Sequence, residues 1–293
     1  KAQASGEIYK MPAGPMMLAV GIEYYKDEAS YLNNFALIRQ AASSGLELAE
    51  DSSGSRSWTG FMAELNIPVD KTLEVNLAAR YDDYSDVGGT FNPKASVRWT
   101  PMKELLLRGS INTGFRAPTL YDVYAPNSIT FTENSYNDPV LCPGGTVNTA
   151  AGGVASRDCD QQFQQQQGGN KNLESETSTA WTVGMVFQPT NSSMVSLDYW
   201  NYVVDNSIGP IGENVIFDDP TKYSAQFQRC SQLSADEQAA LVGTCGPGQP
   251  GDPLAYIVNT QVNLGKYKTS GIDFAANWRS EASAYGRFFA GWN

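Results

Sequence analysis

Leu73-Glu74-Val75-Asn76-Leu77-Ala78-Ala79-Arg80-Tyr81 decides the fold. Leu73, Val75, Leu77, Ala79 and Tyr81 alternate with Glu74, Asn76, Ala78 and Arg80. A strict period of two describes a β-strand with two unlike faces. The pattern recurs downstream. Phe91, Pro93, Ala95, Val97 and Trp99 oppose Asn92, Lys94, Ser96 and Arg98, and Leu105, Leu107 and Ile111 oppose Arg108, Ser110 and Asn112. Further stripes are Trp181 to Phe187, Val195 to Tyr199, Ile272 to Trp278, Met16 to Tyr24 and Phe61 to Ile67. About ten strands are expected along the chain.

The connections carry more information than the strands. Pro68 to Lys71, Thr100 to Lys103, Gln188 to Ser193 and Arg279 to Ser283 read as tight turns. Between them lie long excursions, Asp27 to Arg56, Tyr124 to Leu173 and Asn206 to Asp252, with Asp82 to Thr90 the one short exception. Long loops leaving from one end only are a property of outer-membrane barrels. The apolar stripe is then expected to meet lipid, while Glu23, Glu64, Arg80, Lys94, Arg98, Arg108 and Asp198 point into a wet lumen. Trp58, Trp99, Trp181, Trp278 and Tyr285 near strand ends are expected in an interfacial girdle. Alternation alone also fits a soluble β-sandwich, and loop asymmetry is what favours the barrel.

Composition excludes several classes. The 293 residues carry a net charge of -11, no histidine, 41% hydrophobic and 17% charged residues, so the chain folds but repels phosphate backbones. No basic stripe is present, and nucleic acid is not an expected partner. Without histidine there is no Ser-His-Asp or Cys-His arrangement, and no catalytic, cofactor-binding or metal-binding set is assigned. Asp82, Asp83 and Asp86 lack the glycine and distal glutamate of a calcium loop and read as a solvated strand end. Asp218 and Asp219 invite a glycosidase reading, but Asp219-Pro220 fits a helix N-cap followed by proline. Asp218 to Val242 reads as helical, with Ser234 to Glu237 as a capping box. No apolar run approaches the roughly 18 residues of a transmembrane helix, and residues 1–10 lack the apolar core of a signal peptide.

Four cysteines allow three pairings. Cys142 with Cys159 and Cys230 with Cys245 each close a short loop, and this local pairing is the one expected in an oxidising compartment.

Gly114-Phe115-Arg116-Ala117-Pro118-Thr119-Leu120-Tyr121 resembles a hallmark of TonB-dependent outer-membrane receptors, a barrel strand ending in Gly-Phe-Arg-Ala-Pro. Asn170-Lys171-Asn172-Leu173-Glu174-Ser175-Glu176 resembles the family's next hallmark, Asn-x-x-Leu-x-x-Glu, in the same order and spacing. Arg80 to Asp86 leading to Asn92-Pro93-Lys94, the strand Leu197 to Tyr202, and Asn263-Leu264-Gly265 leading to Thr269 to Asp273 fit as well. The resemblance implies an all-β, antiparallel transmembrane barrel segment, about ten strands of a barrel of about 22, with long extracellular loops. It implies a receptor in the outer membrane of a Gram-negative bacterium for uptake of a scarce nutrient such as a siderophore, sugar or peptide. Its partners would be the TonB energy-coupling complex, reached through a plug domain, and outer-membrane lipid and lipopolysaccharide. The family's plug has no counterpart within residues 1–293, nor have the closing strands, so the chain is expected to be a partial barrel. Arg116, Tyr121, Tyr124, Phe131 and Tyr136 are the candidate ligand contacts, with Arg116 and Pro118 also suited to ending the strand. A passive porin or adhesin barrel, and a secreted soluble β-protein, are the competing readings.

Overall fold

The computed structural model describes residues 1–32 and 51–292. In chain order the strands are β1 (Ala2–Met11), β2 (Gly14–Tyr31), β3 (Ser52–Pro68), β4 (Leu73–Tyr84), β5 (Gly88–Met102), β6 (Leu105–Arg116), β7 (Ser128–Phe131), β8 (Gln164–Gln167), β9 (Glu176–Thr190), β10 (Ser193–Asp205), β11 (Ile208–Gly209), β12 (Phe227–Arg229), β13 (Leu254–Val258), β14 (Val262–Asn263), β15 (Tyr267–Arg279) and β16 (Phe289–Trp292). Ten of them form one sheet in the order β1-β2-β3-β4-β5-β6-β9-β10-β15-β16, antiparallel at every step. Each strand neighbours the next one in sequence within this wall. β2 and β3, at 18 and 17 residues, exceed the roughly 9 to 11 that cross a bilayer.

Register turns the alternation into two continuous surfaces. Leu18, Leu65, Leu77, Ala95, Ile111 and Trp181 are successive partners across six strands and form one apolar row. A second row runs Val97, Gly109, Val183, Tyr199, Ile272. These side chains are left outside: Val183 is 58% and Ile272 68% exposed. Among the described residues every buried hydrophobic side chain lies between Ala125 and Ile257, and none lies in the ten-stranded wall. A water-soluble sandwich would cover such a face, because contiguous apolar surface of this extent drives association. Lipid is the solvent that matches it, and the ladder then supplies the backbone hydrogen bonds that lipid cannot.

Charge on the opposite face is neutralised by a repeated device. Arg108 on β6 reaches across β9 to Asp198 on β10, with Nε 2.7 Å from Oδ1. The residue between them in register is Gly184, where a Cβ would fall 1.8 Å from that carboxylate oxygen. Glu23 and Asp82 likewise flank Gly60, and Arg80 binds both, at 2.7 Å to Asp82. Glycine in the middle strand lets an ion pair bridge two strands over it.

Five connections at one end are β1–β2, β3–β4, β5–β6, β9–β10 and β15–β16, and the two long cysteine-bearing excursions are both at the other end. The expected asymmetry is present, with corrections at the edges. Asp27 pairs with Arg56 and Tyr31 with Ser52, so strand continues well into the expected Asp27–Arg56 loop; residues 33–50 lie outside the described residues. Trp58 is not a girdle residue. It pairs with Tyr25 and Tyr84 on the charged face, stacked at 4.8 and 5.6 Å between ring centroids, because the period of two sets it with Glu64 rather than Phe61. Nor is the Asp82 to Asp86 segment a solvated end: Asp82 is buried against Arg80, and Asp86 receives Arg56. Among the described residues no helix is long and apolar enough to cross a membrane.

Lysine placed at Val183, on the apolar row, is expected to cost assembly about 2 to 4 kcal/mol, whereas lysine at the adjacent Thr182 should leave insertion nearly intact. Urea unfolding in vesicles and heat-modifiable gel mobility measure both. Equal losses at the two positions would contradict the face assignment.

Candidate functional site

The segment leaving β6 does not stand up into solvent. Thr119 caps a short helix, α1 (Leu120–Tyr124), with its hydroxyl accepting from the Asp122 amide at 3.0 Å while the Asp122 carboxylate accepts from the Thr119 amide at 2.8 Å. This reciprocal box fixes the turn after Pro118. The helix packs on β2 and β3, so the chain passes over the short β4–β5 turn to the lumen side of the rim. Arg56 anchors it, gripping Asp86 at 2.7 Å and donating to the Pro118 carbonyl at 2.5 Å. Arg56 was not legible as a site residue in the sequence, since its partners lie 30 and 62 positions away.

The second hallmark ties both long excursions to the wall. Glu176 takes a two-pronged hydrogen bond from Arg116, both contacts at 2.6 Å, and also accepts from the Ile208 amide at 2.7 Å. Asn170 donates its backbone N–H to the Asp122 carbonyl and its Nδ2 to the Gln261 carbonyl. Asn263 accepts from the Glu174 amide at 2.8 Å and donates to the Asn206 carbonyl at 3.1 Å. Leu173 is buried beneath these contacts.

Above the rim the two excursions fold together. β8 and β13, from different excursions, pair in parallel, giving a four-stranded sheet in the order β12-β13-β8-β7. Phe163, Ile216, Phe227, Leu254 and Ile257 form its core. Four short helices complete this lid: α2 (Ala155–Asp158), α3 (Glu213–Asp218), α4 (Ala235–Ala240) and α5 (Val242–Cys245). The Ser234 capping box is present, but helix is not continuous from Asp218 to Val242. Asp219 follows α3 rather than starting a helix, and its carboxylate accepts from the Lys222 amide at 3.0 Å in a turn. Disulfides join Cys142 to Cys159 and Cys230 to Cys245, one within each excursion.

Buried charges link the halves of the lid. Asp138, wholly buried, receives the Arg229 guanidinium at 2.5 and 2.8 Å. The buried Glu213 carboxylate accepts from the amides of Glu133 and Asn134 and the Tyr136 hydroxyl, all at 3.0 Å, and from Gln165 Nε2 at 3.2 Å. Burial pushes the Tyr136 hydroxyl above the ordinary tyrosine range, so it stays a donor to Glu213. None of Asp138, Glu213 or Arg229 was singled out in the sequence. The one local signal was Asp138-Pro139, where the carboxylate accepts from the Val140 and Leu141 amides as turn aspartates do.

The candidate ligand contacts separate into two groups. Tyr136 lies in the lid core, its ring parallel to Phe217 at 4.1 Å, and Arg116 is held by Glu176 with Asp122 3.7 Å away. Tyr121 is 59% exposed beside Tyr31, Tyr124 lies over Gly54 with Lys171 above its ring, and Phe131 is 48% exposed on the lid sheet. The five are not brought to one point. Among the described residues no cluster of metal-ligating side chains occurs.

An antiparallel wall with an apolar outside, ion pairs inside and a folded lid at one end defines a membrane β-barrel receptor. The model of the TonB dependent receptor-like beta-barrel family matches residues 4–293, and the chain belongs to that family. Its members are outer-membrane transport proteins. No curated protein matches the chain in sequence. Among solved structures, a mutant of the ferric enterobactin receptor PfeA from Pseudomonas aeruginosa, in complex with enterobactin, superposes with a TM-score of 0.62 at 14% identity, covering 99% of this chain and 34% of that one. The siderophore receptor PirA from Acinetobacter baumannii gives 0.56 at 16% identity, covering 94% and 34%. A double mutant of the Serratia marcescens hemophore receptor HasR, in complex with its hemophore HasA and heme, gives 0.54 at 16% identity, covering 94% and 38%. The chain thus spans about a third of the length of these structures.

Asp138→Ala strands the Arg229 charge in the lid, and the loss expected for breaking such a buried pair is about 3 to 5 kcal/mol. Limited proteolysis should then open both excursions together while the wall keeps its heat-modifiable mobility. Cleavage confined to residues 125–175 would show that the two fold separately.

Proposed function

We propose that the chain forms wall and lid of a receptor in the outer membrane of a Gram-negative bacterium, one that captures a scarce nutrient and takes it up with energy from the TonB complex. The observation that carries this reading is the lid, two excursions built into one disulfide-braced body above a lipid-facing wall. A passive pore gains nothing from a folded cover joined by buried ion pairs. In this reading the wall is a sector of a larger barrel of about 22 strands that encloses the plug through which TonB acts, and the up-and-down order of the ten strands supports it. Outer-membrane lipid meets the apolar rows and lipopolysaccharide the projecting strand ends. Tyr121, Tyr124 and Phe131 are the ligand contacts, while Arg116 and Tyr136 hold the surfaces that carry them. The nutrient is a siderophore, a sugar or a peptide, and the protein performs no chemistry on it.

The intact receptor reconstituted in planar bilayers is expected to conduct no ions without TonB. A steady, large conductance would overturn the uptake reading in favour of a passive pore. Replacing residues 128–167 by a short flexible linker should abolish capture and also loosen residues 206–266, because the two share one core.

A further inference from the structure

One row of register crosses the lumen face of the wall with an ionisable side chain on every strand but β9. Glu74 on β4 is the partner of Arg98 on β5, Arg98 of Arg108 on β6, Arg108 of Gly184 on β9, Gly184 of Asp198 on β10, and Asp198 of Asp273 on β15. The middle of the row is neutralised internally, by Arg108 reaching Asp198 over Gly184. Glu74 is engaged on its other side, where it accepts from Asn66 Nδ2 at 2.8 Å. Among the described residues neither Arg98 nor Asp273 has an ion pair or a side-chain hydrogen bond.

Both of these open positions oppose a like charge. Arg98 faces Arg108 and Asp273 faces Asp198, and like charges directly opposite one another destabilise a sheet. Water screens part of this cost, since both side chains are exposed. The other arginines on the lumen face of β3 to β6 are already bound: Arg56 by Asp86, Arg80 by Asp82 and Glu23, and Arg116 by Glu176. Lys94, on the same face of β5 as Arg98, is a further cation without an ion pair among the described residues. The wall thus presents uncommitted positive charge on β5 and uncommitted negative charge on β15, about 19 Å apart around the lumen at the usual strand spacing.

We propose that this row seats a polypeptide body in the lumen, one that sets a carboxylate on Arg98 and a cationic side chain on Asp273. The proposal rests on the uptake reading and names the wall residues that its plug would meet. A small diffusible anion fits less well, because it answers Arg98 and not Asp273, and because the two like-charge contacts persist whether or not a solute is passing. A body carrying both charges satisfies both ends in one orientation, since turning it round would set like charge on like. The two-pronged carboxylate binding made by Arg108 and Arg116 is open to Arg98 as well. The row therefore fixes the rotational setting of the body inside the wall.

The test takes the intact receptor and three variants, Arg98→Glu, Asp273→Lys and Arg98→Lys, with heat-modifiable mobility as the check on assembly. In planar bilayers the wild type is expected to be closed. Each charge reversal should raise the steady ion conductance about tenfold or more as the seated body loosens, while Arg98→Lys stays closed. Zero-length carbodiimide coupling, mapped by mass spectrometry, should join the amine introduced by Arg98→Lys to a carboxylate outside residues 1–293. Should a reversal fail to assemble, this crosslink decides. The assignment is overturned if both reversals stay closed, if the new amine couples only to wall carboxylates such as Glu74 or Asp198, or if the reversals change nutrient affinity with conductance unaltered. In each of these cases a closed wild type leaves the uptake reading standing. A conducting wild type would instead overturn the uptake reading, and this proposal with it.

Discussion

Lipid offers no hydrogen bonds, and that single constraint organises the wall. Every backbone N–H and C=O that crosses the apolar layer needs a neighbouring strand, so the chain runs up and down in register through ten consecutive partners. Once pairing is fixed, the period of two assigns each side chain to lipid or to lumen, and no residue can change sides without a slip or a bulge. The one shift within β1–β2, between Glu7 and Tyr9, shows how local such an irregularity stays. The wall thus has no buried core of its own, its apolar surface being left uncovered by protein.

Polar groups on the inner side then face water and one another. Long-range order there comes from ion pairs that step across a strand, Arg108 to Asp198 over Gly184 and Arg80 to Glu23 over Gly60. Such pairs are worth little individually when exposed, yet they fix orientation where no packing does. Above the rim the usual logic of a soluble protein returns. The lid has a buried apolar core, buried carboxylates fully supplied with donors, and two disulfides; Arg56 and Glu176 on the wall hold the segments that lead into it, and Asn170 ties one excursion to the other. These three contacts explain what the two hallmark segments do physically. Arg116 and Pro118 end one strand and deliver the chain to the rim, and Asn170 and Glu176 bring it back while fastening the other excursion.

How much of this was legible depended on whether the relevant physics is local. Leu73 to Tyr81 announces its strand because period two is a local signal, and the same holds for the turn lengths and for the Ser234 capping box. Trp58 was misplaced because nearness to a strand end says nothing about which face a residue takes, whereas counting from Phe61 would have placed it. The acidic segment Asp82 to Asp86 looked solvated because neither Arg56 nor Arg80 announces its partner. The packing of Tyr136 is not legible for a similar reason: its partners Glu213 and Phe217 lie in the other excursion. Nothing in either excursion read alone reveals that β8 and β13 pair, since parallel pairing between distant segments leaves no mark on spacing. The disulfides were legible as local pairs, but the body they brace was not.

The central claim is that the two faces of the wall meet two different solvents, and accessibility along β9 tests it most directly. Single spin labels placed from Trp181 to Phe187 in the reconstituted receptor can be relaxed by oxygen, which dissolves in lipid, or by a water-soluble nickel chelate. The account requires oxygen to dominate at Trp181, Val183, Met185 and Phe187 and the chelate at Thr182, Gly184 and Val186, out of phase with a period of two. Accessibility to the chelate at all seven positions, or a period near 3.6, would contradict it.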